Sequence, residues 1–115
     1  MSVEIDHQEV RPGVVVIKLT GRLVLGPEDG QLELLVSEKL SAGYRKFVFD
    51  LTGLSHIDST GIGRFIFTFN KVSGAGGKLC MVAEEGHVRD GFRVTRLDTV
   101  FKFFPDVDSA VSSLG

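Results

Sequence analysis

The residues best suited to chemistry in this chain stand together: Ile57 Asp58 Ser59 Thr60 Gly61 Ile62 Gly63, with His56 just before them. An imidazole, a carboxylate and a hydroxyl are the residue types of an acyl-transfer triad. Their adjacency argues against that chemistry. Neighbouring side chains of an extended segment point to opposite faces, whereas the base must reach the serine while the carboxylate holds the base from behind. The same residues suit a different task, because the apolar residues that follow repeat with a helical period. The run then opens a helix, where backbone N–H groups lack partners and the macrodipole is positive. Asp58 can cap that helix, and a phosphoryl group on Ser59 would be favourably placed. Gly61 and Gly63 would let another backbone approach closely. The alternative left open by the residues is that Asp58, Ser59 and Thr60 are capping residues only.

Other candidate sites fail on spacing. Ser73 to Lys78 reads S-G-A-G-G-K, but a phosphate loop needs a glycine where Val72 stands and a hydroxyl residue where Leu79 stands. This stretch also leaves a helix and enters a strand, so a helix-ending turn is expected. Gly61 and Gly63 begin a dinucleotide-type pattern whose third glycine would fall at Ile66. His7, His56 and His87 sit on separate segments, and Cys80 lies in an apolar strand. With no Cys-x-x-Cys or His-x-x-x-His spacing, neither a metal nor a cofactor is expected, and no catalytic residue is assigned.

The elements that must position this run can be read from periodicity. Val3 and Ile5, then Val14 to Leu19, form two strands turned at Arg11 to Gly13, with Gly21 ending the unit. Leu32, Leu35, Val36 and Leu40 make an amphipathic helix, with Pro27, Glu28 and Asp29 in its first turn and Gly43 at its end. Phe47 to Leu51, bounded by Lys46 and Gly53, is a strand apolar on both faces. The second helix opens after Asp58 and carries the stripe Ile62, Phe65, Ile66 and Phe69. Phe67 lies nearly opposite that stripe, beside Thr60, Gly63 and Lys71. It is either a docking anchor or a residue covered by another helix. Leu79 to Ala83 is a buried strand, followed by a polar helix from about Gly86 to Leu97. Arg89, Arg93 and Arg96 share one face of it, either a basic surface for an acidic partner or a solvated face partly neutralised by Asp90 and Asp98, the second being favoured. Val100 to Phe104 is a last strand or an apolar loop, and Val107, Ala110, Val111 and Leu114 form a final helix capped by Asp106. The reading is one α/β domain over residues 1–115, with a mixed sheet of four to five strands and about four helices.

Composition narrows the partners. At 115 residues and 43% apolar side chains, the chain is long enough for one core and too short for two. Thirteen basic against fifteen acidic residues leave a net charge of -2, which points to neither nucleic acid nor an anionic membrane as a direct partner. A single cysteine excludes an internal disulfide, and no apolar run approaches the length of a spanning helix, so a cytoplasmic location is expected.

The run from Phe47 Val48 Phe49 Asp50 Leu51 through Thr52 Gly53 Leu54 Ser55 His56 Ile57 to Asp58 Ser59 Thr60 Gly61 Ile62 Gly63 resembles the signature of the STAS family. That family comprises bacterial anti-sigma factor antagonists and related sulfate-transporter domains. Leu19 Thr20 Gly21 Arg22 Leu23, Gly76 Gly77 Lys78 Leu79 and Arg96 Leu97 Asp98 Thr99 Val100 Phe101 resemble its other segments, so the likeness spans nearly the whole chain. It implies a switch. An anti-sigma factor that is itself a serine kinase phosphorylates Ser59, with Thr60 as second choice. The unmodified form binds that factor and releases a sigma factor, and a phosphatase restores it. Asp58, Ser59, Thr60, Gly61, Gly63 and Phe67 would form the docking surface. Two departures stand out: Val24 and Leu25 occupy a place where many relatives carry an acid, and Arg96 stands where the family usually places glycine. The alternatives are a STAS scaffold or sensor without a phospho-switch, and a small serine hydrolase.

Overall fold

The computed structural model describes residues 3–23 and 30–114. Val24, Leu25, Pro27, Glu28 and Asp29, to which parts of the reading above refer, lie outside them. The elements run β1 (Val3–Arg11), β2 (Val14–Leu23), α1 (Gln31–Ser41), β3 (Lys46–Ile57), α2 (Ser59–Gly74), β4 (Lys78–Val82), α3 (His87–Val94), a 3-10 turn (Leu97–Thr99), β5 (Phe103–Phe104) and α4 (Val107–Ser113). The five strands form one sheet in chain order. β1 pairs antiparallel to β2 through a turn in which Gly13 has φ +82°, and β2 to β5 are parallel. The mixed sheet and four helices match the expected α/β class.

Alternation along the central strand divides the core. Phe47, Phe49 and Leu51 face a large cluster with Leu32 and Val36 of α1, Ile62, Phe65 and Val72 of α2, and Val88 and Phe92 of α3. Val48 faces the other way, into a smaller cluster with Val14, Cys80 and Val82 under Ala110, Val111 and Leu114 of α4. Three helices therefore cover one face and one covers part of the other. Asp106 caps α4 as expected, its carboxylate accepting from the Ser109 N–H at 2.8 Å. Those bonds hold its pKa below the usual carboxylate value.

Three segments depart from the periodic reading. β3 does not end near Leu51 but runs to Ile57, and β2 does not end at Gly21 but accompanies it to Leu23, pairing Thr20 with Gly53, Gly21 with Leu54 and Leu23 with Ile57. Bulges between Lys18 and Thr20 and between Gly21 and Arg22 place the buried residues Leu51, Leu54 and Ile57 three apart rather than two, which hides the strand from a period-two test. α3 closes at Val94 instead of continuing to Leu97. Arg96 follows it in the left-handed region at φ 63°, the only non-glycine residue with positive φ among those described. An arginine here holds a backbone conformation that favours glycine. Arg96→Gly is expected to stabilise the fold by about 0.5–1 kcal/mol, the relief of left-handed strain exceeding the entropy that glycine adds to the unfolded chain. Equal denaturation midpoints for the two proteins would show that the turn carries no strain.

Candidate functional site

The first turn of α2 is built by the ends of β2 and β3. Leu23 and Ile57 finish side by side, and the Leu23 carbonyl accepts from the Asp58 N–H at 3.4 Å. Asp58 is the N-cap, in extended conformation, and its Oδ1 accepts from the Gly61 N–H at 2.9 Å. Ser59 and Thr60 follow in the first turn, both exposed. Neither hydroxyl is hydrogen-bonded to another described residue, while Asp58 does the capping. Asp58, Ser59, Thr60, Gly61, Gly63 and Phe67 all lie on this one helix or at its cap, but they do not share a face.

Gly61 and Gly63 part company in the structure. Gly61 is buried, and a methyl group there would collide with the Leu23 carbonyl oxygen and stand 2.9 Å from Ile57 Cγ1. Gly61 therefore serves the fold. Gly63 is exposed and its missing side chain would meet nothing within 4 Å. A helix-interior glycine costs roughly 0.5–1 kcal/mol relative to alanine, and no packing among the described residues offsets that cost at Gly63.

The buried side of α2 consists of Gly61, Ile62, Phe65, Thr68 and Val72, so the core stripe is turned by roughly 60° from the expected one at about 100° per residue. Ile66, expected in the stripe, is 39% exposed. The pattern misplaced it because glycine and threonine occupy buried positions; the Thr68 hydroxyl is satisfied by donating to the Arg64 carbonyl at 2.9 Å. Phe67 is 53% exposed, and no helix among the described residues covers it. The Lys71 ammonium sits 5.7 Å from its ring centre. Positions 59, 63, 66 and 67 thus line the outward surface of the helix, with an apolar pair about two turns from Ser59. Leu34 of α1 is also strongly exposed, in keeping with its place opposite the stripe Leu32, Leu35, Val36 and Leu40. α1 is tied to α2 by Arg64 Nη1, 3.9 Å from Glu33 Oε2.

The polar neighbours of the run do not assemble acyl-transfer geometry. His56 Nδ1 lies 2.9 Å from Ser55 Oγ, and the Asp58 carboxylate engages the Gly61 amide. Folding brings together His56 and His87, distant in sequence, with ring centres 5.6 Å apart. His7 is elsewhere, on β1. Among the described residues no three His, Cys, Asp or Glu side chains are grouped to hold a metal ion. Ser73 to Lys78 forms the turn between α2 and β4, with Gly77 N–H donating to the Val72 carbonyl at 2.9 Å. The expected arginine face is also broken up. Arg93 pairs with Glu85 at 2.9 Å and with Asp90, Arg89 approaches Glu85 and stacks over Phe103, and Arg96 belongs to the turn beyond α3. These partners hold the Glu85 carboxyl below its usual range, Arg93 being the main cause. No helix among the described residues is long and apolar enough to cross a membrane.

Comparison with known proteins places this geometry. A Thermotoga neapolitana protein named as a TM1081 homologue is 27% identical over 77 residues, covering 67% of this chain and 68% of that protein. The crystal structure of an anti-sigma factor antagonist from Mycobacterium paratuberculosis superposes with a TM-score of 0.83 at 22% identity, covering 98% of this chain and 94% of that one. The phosphorylated form of the Bacillus cell fate determinant SpoIIAA gives a TM-score of 0.75 at 18% identity, covering 97% of this chain and 100% of that one. Both solved structures share the fold of this chain. The profile of the STAS domain matches residues 7–110, from the first strand to the last helix, and so the chain belongs to the STAS domain family.

Proposed function

We propose that this chain is an anti-sigma factor antagonist whose docking surface is the outward side of α2 and whose phosphoacceptor is Ser59. The observation that carries this reading is Gly63: it weakens a helix, fills no space in the fold, and lies one turn from an exposed serine and one turn from an exposed phenylalanine. A bare backbone there admits a partner, and Phe67 offers that partner an aromatic anchor. The names of the relatives support the same reading, one being an anti-sigma factor antagonist and another having been solved with its phosphoryl group in place.

The physics of the switch follows from the site. A phosphoryl group adds about -1.5 to -2 charges, which roughly doubles the net charge of -2, and does so where the partner must close. Asp58 lies next to it and adds to the repulsion of an acidic or desolvated partner surface. The positive end of α2 partly stabilises the new charge, so modification opens the interface without unfolding the domain. In this reading the chain is the substrate of a serine-kinase anti-sigma factor and of a phosphatase, and is not itself an enzyme.

The test is to purify the serine-kinase anti-sigma factors of the source genome, incubate each with this chain and ATP, and locate the phosphate by mass spectrometry. Modification at Ser59 is expected, together with full binding by Ser59→Ala and binding at least about tenfold weaker for Ser59→Asp. Modification confined to Thr60 would move the acceptor by one residue. Equal affinity of wild type and both variants would remove the switch and leave a scaffold.

A further inference from the structure

β5 is two residues long, and this shortness opens a slot in the sheet. It pairs with β4 only at Met81 and Val82, leaving Lys78 to Cys80 as a strand edge with no strand partner on that side among the described residues. In a parallel strand, alternate residues send both backbone groups to the same side. The Met81 N–H donates to the Lys102 carbonyl at 2.8 Å, on the β5 side, and the Lys78 N–H donates to Arg45 at 2.8 Å, on the β3 side. Leu79, two residues before Met81, therefore directs its N–H and C=O to the open side. A cavity of about 370 Å³ lies there. Its walls come from both faces of the sheet, Phe69 and Ser73 of α2 on one and Ser113 and Leu114 of α4 on the other, as expected of a gap at a sheet edge.

Charge identifies what fits. Lys78 and Lys102 stand at this cavity, and among the described residues its lining contains no Asp or Glu, in a chain whose net charge is -2. Neither lysine makes an ion pair among the described residues. Two of the carbonyls at the end of α2 are already engaged, Val72 O accepting from the Ala75 and Gly77 amides and Ser73 O from the Gly76 amide. Leu79, Val100 and Leu114 add apolar surface for a side chain between the charges.

We infer that this slot binds an extended acidic peptide segment of a partner protein, which continues the sheet below β5. The segment exchanges backbone hydrogen bonds with Leu79, places carboxylates against Lys78 and Lys102, and turns an apolar side chain into the cavity. The slot is at the start of β4, whereas Ser59 follows the end of β3, so this interaction is separate from docking on the outward side of α2.

Two measurements on the isotopically labelled full chain test it. Native-state hydrogen exchange is expected to show the Leu79 amide exchanging at least about a hundredfold faster than the Met81 amide, which is paired. Titration with an acetylated peptide of alternating valine and aspartate is expected to give saturable amide shifts at Gly77 to Cys80, Val100 and Ser113. The double variant Lys78→Ala, Lys102→Ala should bind it about tenfold more weakly, and a valine–lysine peptide should not bind. Equal protection of Leu79 and Met81 would overturn the open edge. Absence of saturable shifts at millimolar peptide, unchanged affinity in the double variant, or identical shifts from acetate alone would overturn the peptide site. None of these outcomes depends on whether Ser59 is phosphorylated.

Discussion

Gly61→Ala is expected to destabilise the protein by about 2–3 kcal/mol, while Gly63→Ala, two residues on, is expected to stabilise it by about 0.5–1 kcal/mol. Both changes give the helix the same gain in intrinsic propensity. They differ in what the added methyl meets. At Gly61 it drives into the Leu23 carbonyl oxygen and approaches Ile57 Cγ1 at 2.9 Å and Leu23 Cγ at 3.2 Å. The carbonyl is part of the β2 backbone, paired in the sheet, and cannot swing aside as a flexible side chain would. The collision must therefore push α2 away from the ends of β2 and β3, loosening the Asp58 cap as it does so. At Gly63 the methyl enters open space. Urea denaturation of the three proteins reads the difference directly, with unchanged slopes if the native fold is kept. A loss below about 0.5 kcal/mol for Gly61→Ala would show that α2 can shift at little cost. If the outward side of α2 is the docking surface, Gly63→Ala combines higher stability with weaker partner binding, an outcome that a merely structural glycine would not produce.

Phe65→Ala is expected to cost about 3–5 kcal/mol, which is a large part of the roughly 5–15 kcal/mol that holds a domain of this size. Phe65 is completely buried and joins the site helix to the rest of the core. Its ring meets Phe49 of β3 edge-on at 5.6 Å between centres and Phe92 of α3 at 5.8 Å. Phe92 in turn contacts Phe101 at 5.5 Å and Phe103 at 5.3 Å, so a chain of rings runs from the central strand to the edge of the sheet. Truncation removes the ring's transfer energy and leaves a cavity that its rigid neighbours on β3 and α3 cannot close. Thermal unfolding should fall by more than about 10 °C. A fall of less than about 5 °C would mean that the neighbouring rings repack into the space. Phe65→Leu, which keeps most of the volume, should recover much of the loss.

Both predictions concern the helix that carries Ser59, and both rest on facts of unequal visibility in the sequence. The order of elements was legible because buried faces repeat with the period of the element that carries them. Val14 to Leu19 alternate under two cores, Val107 to Leu114 repeat as a helix, and Asp58 and Asp106 sit where caps belong and do cap. The second half of β3 was not legible, since the bulges against β2 reset the spacing of Leu51, Leu54 and Ile57. The orientation of α2 was misread by roughly 60° because two buried positions hold glycine and threonine, which an apolar stripe does not count. The resemblance of the Asp58 to Gly63 run to the STAS signature did not depend on periodicity, and the match over residues 7–110 agrees with it.

Residue type and spacing along the chain settled that a capped helix begins at Asp58, that a hydroxyl stands in its first turn, and that no metal or phosphate-loop spacing surrounds it. These are local properties, fixed within a few residues by backbone hydrogen bonding and helix geometry. Only the folded chain decided which glycine the core needs, because that depends on the Leu23 carbonyl reaching Gly61 from a strand dozens of residues earlier. It also decided that Phe67 and Ile66 face outward, that His56 meets His87, and that β5 stops after two residues and leaves Leu79 at an open edge. Each of these is set by contacts between segments far apart in the chain, where packing against a particular neighbour outweighs the preferences of any single stretch.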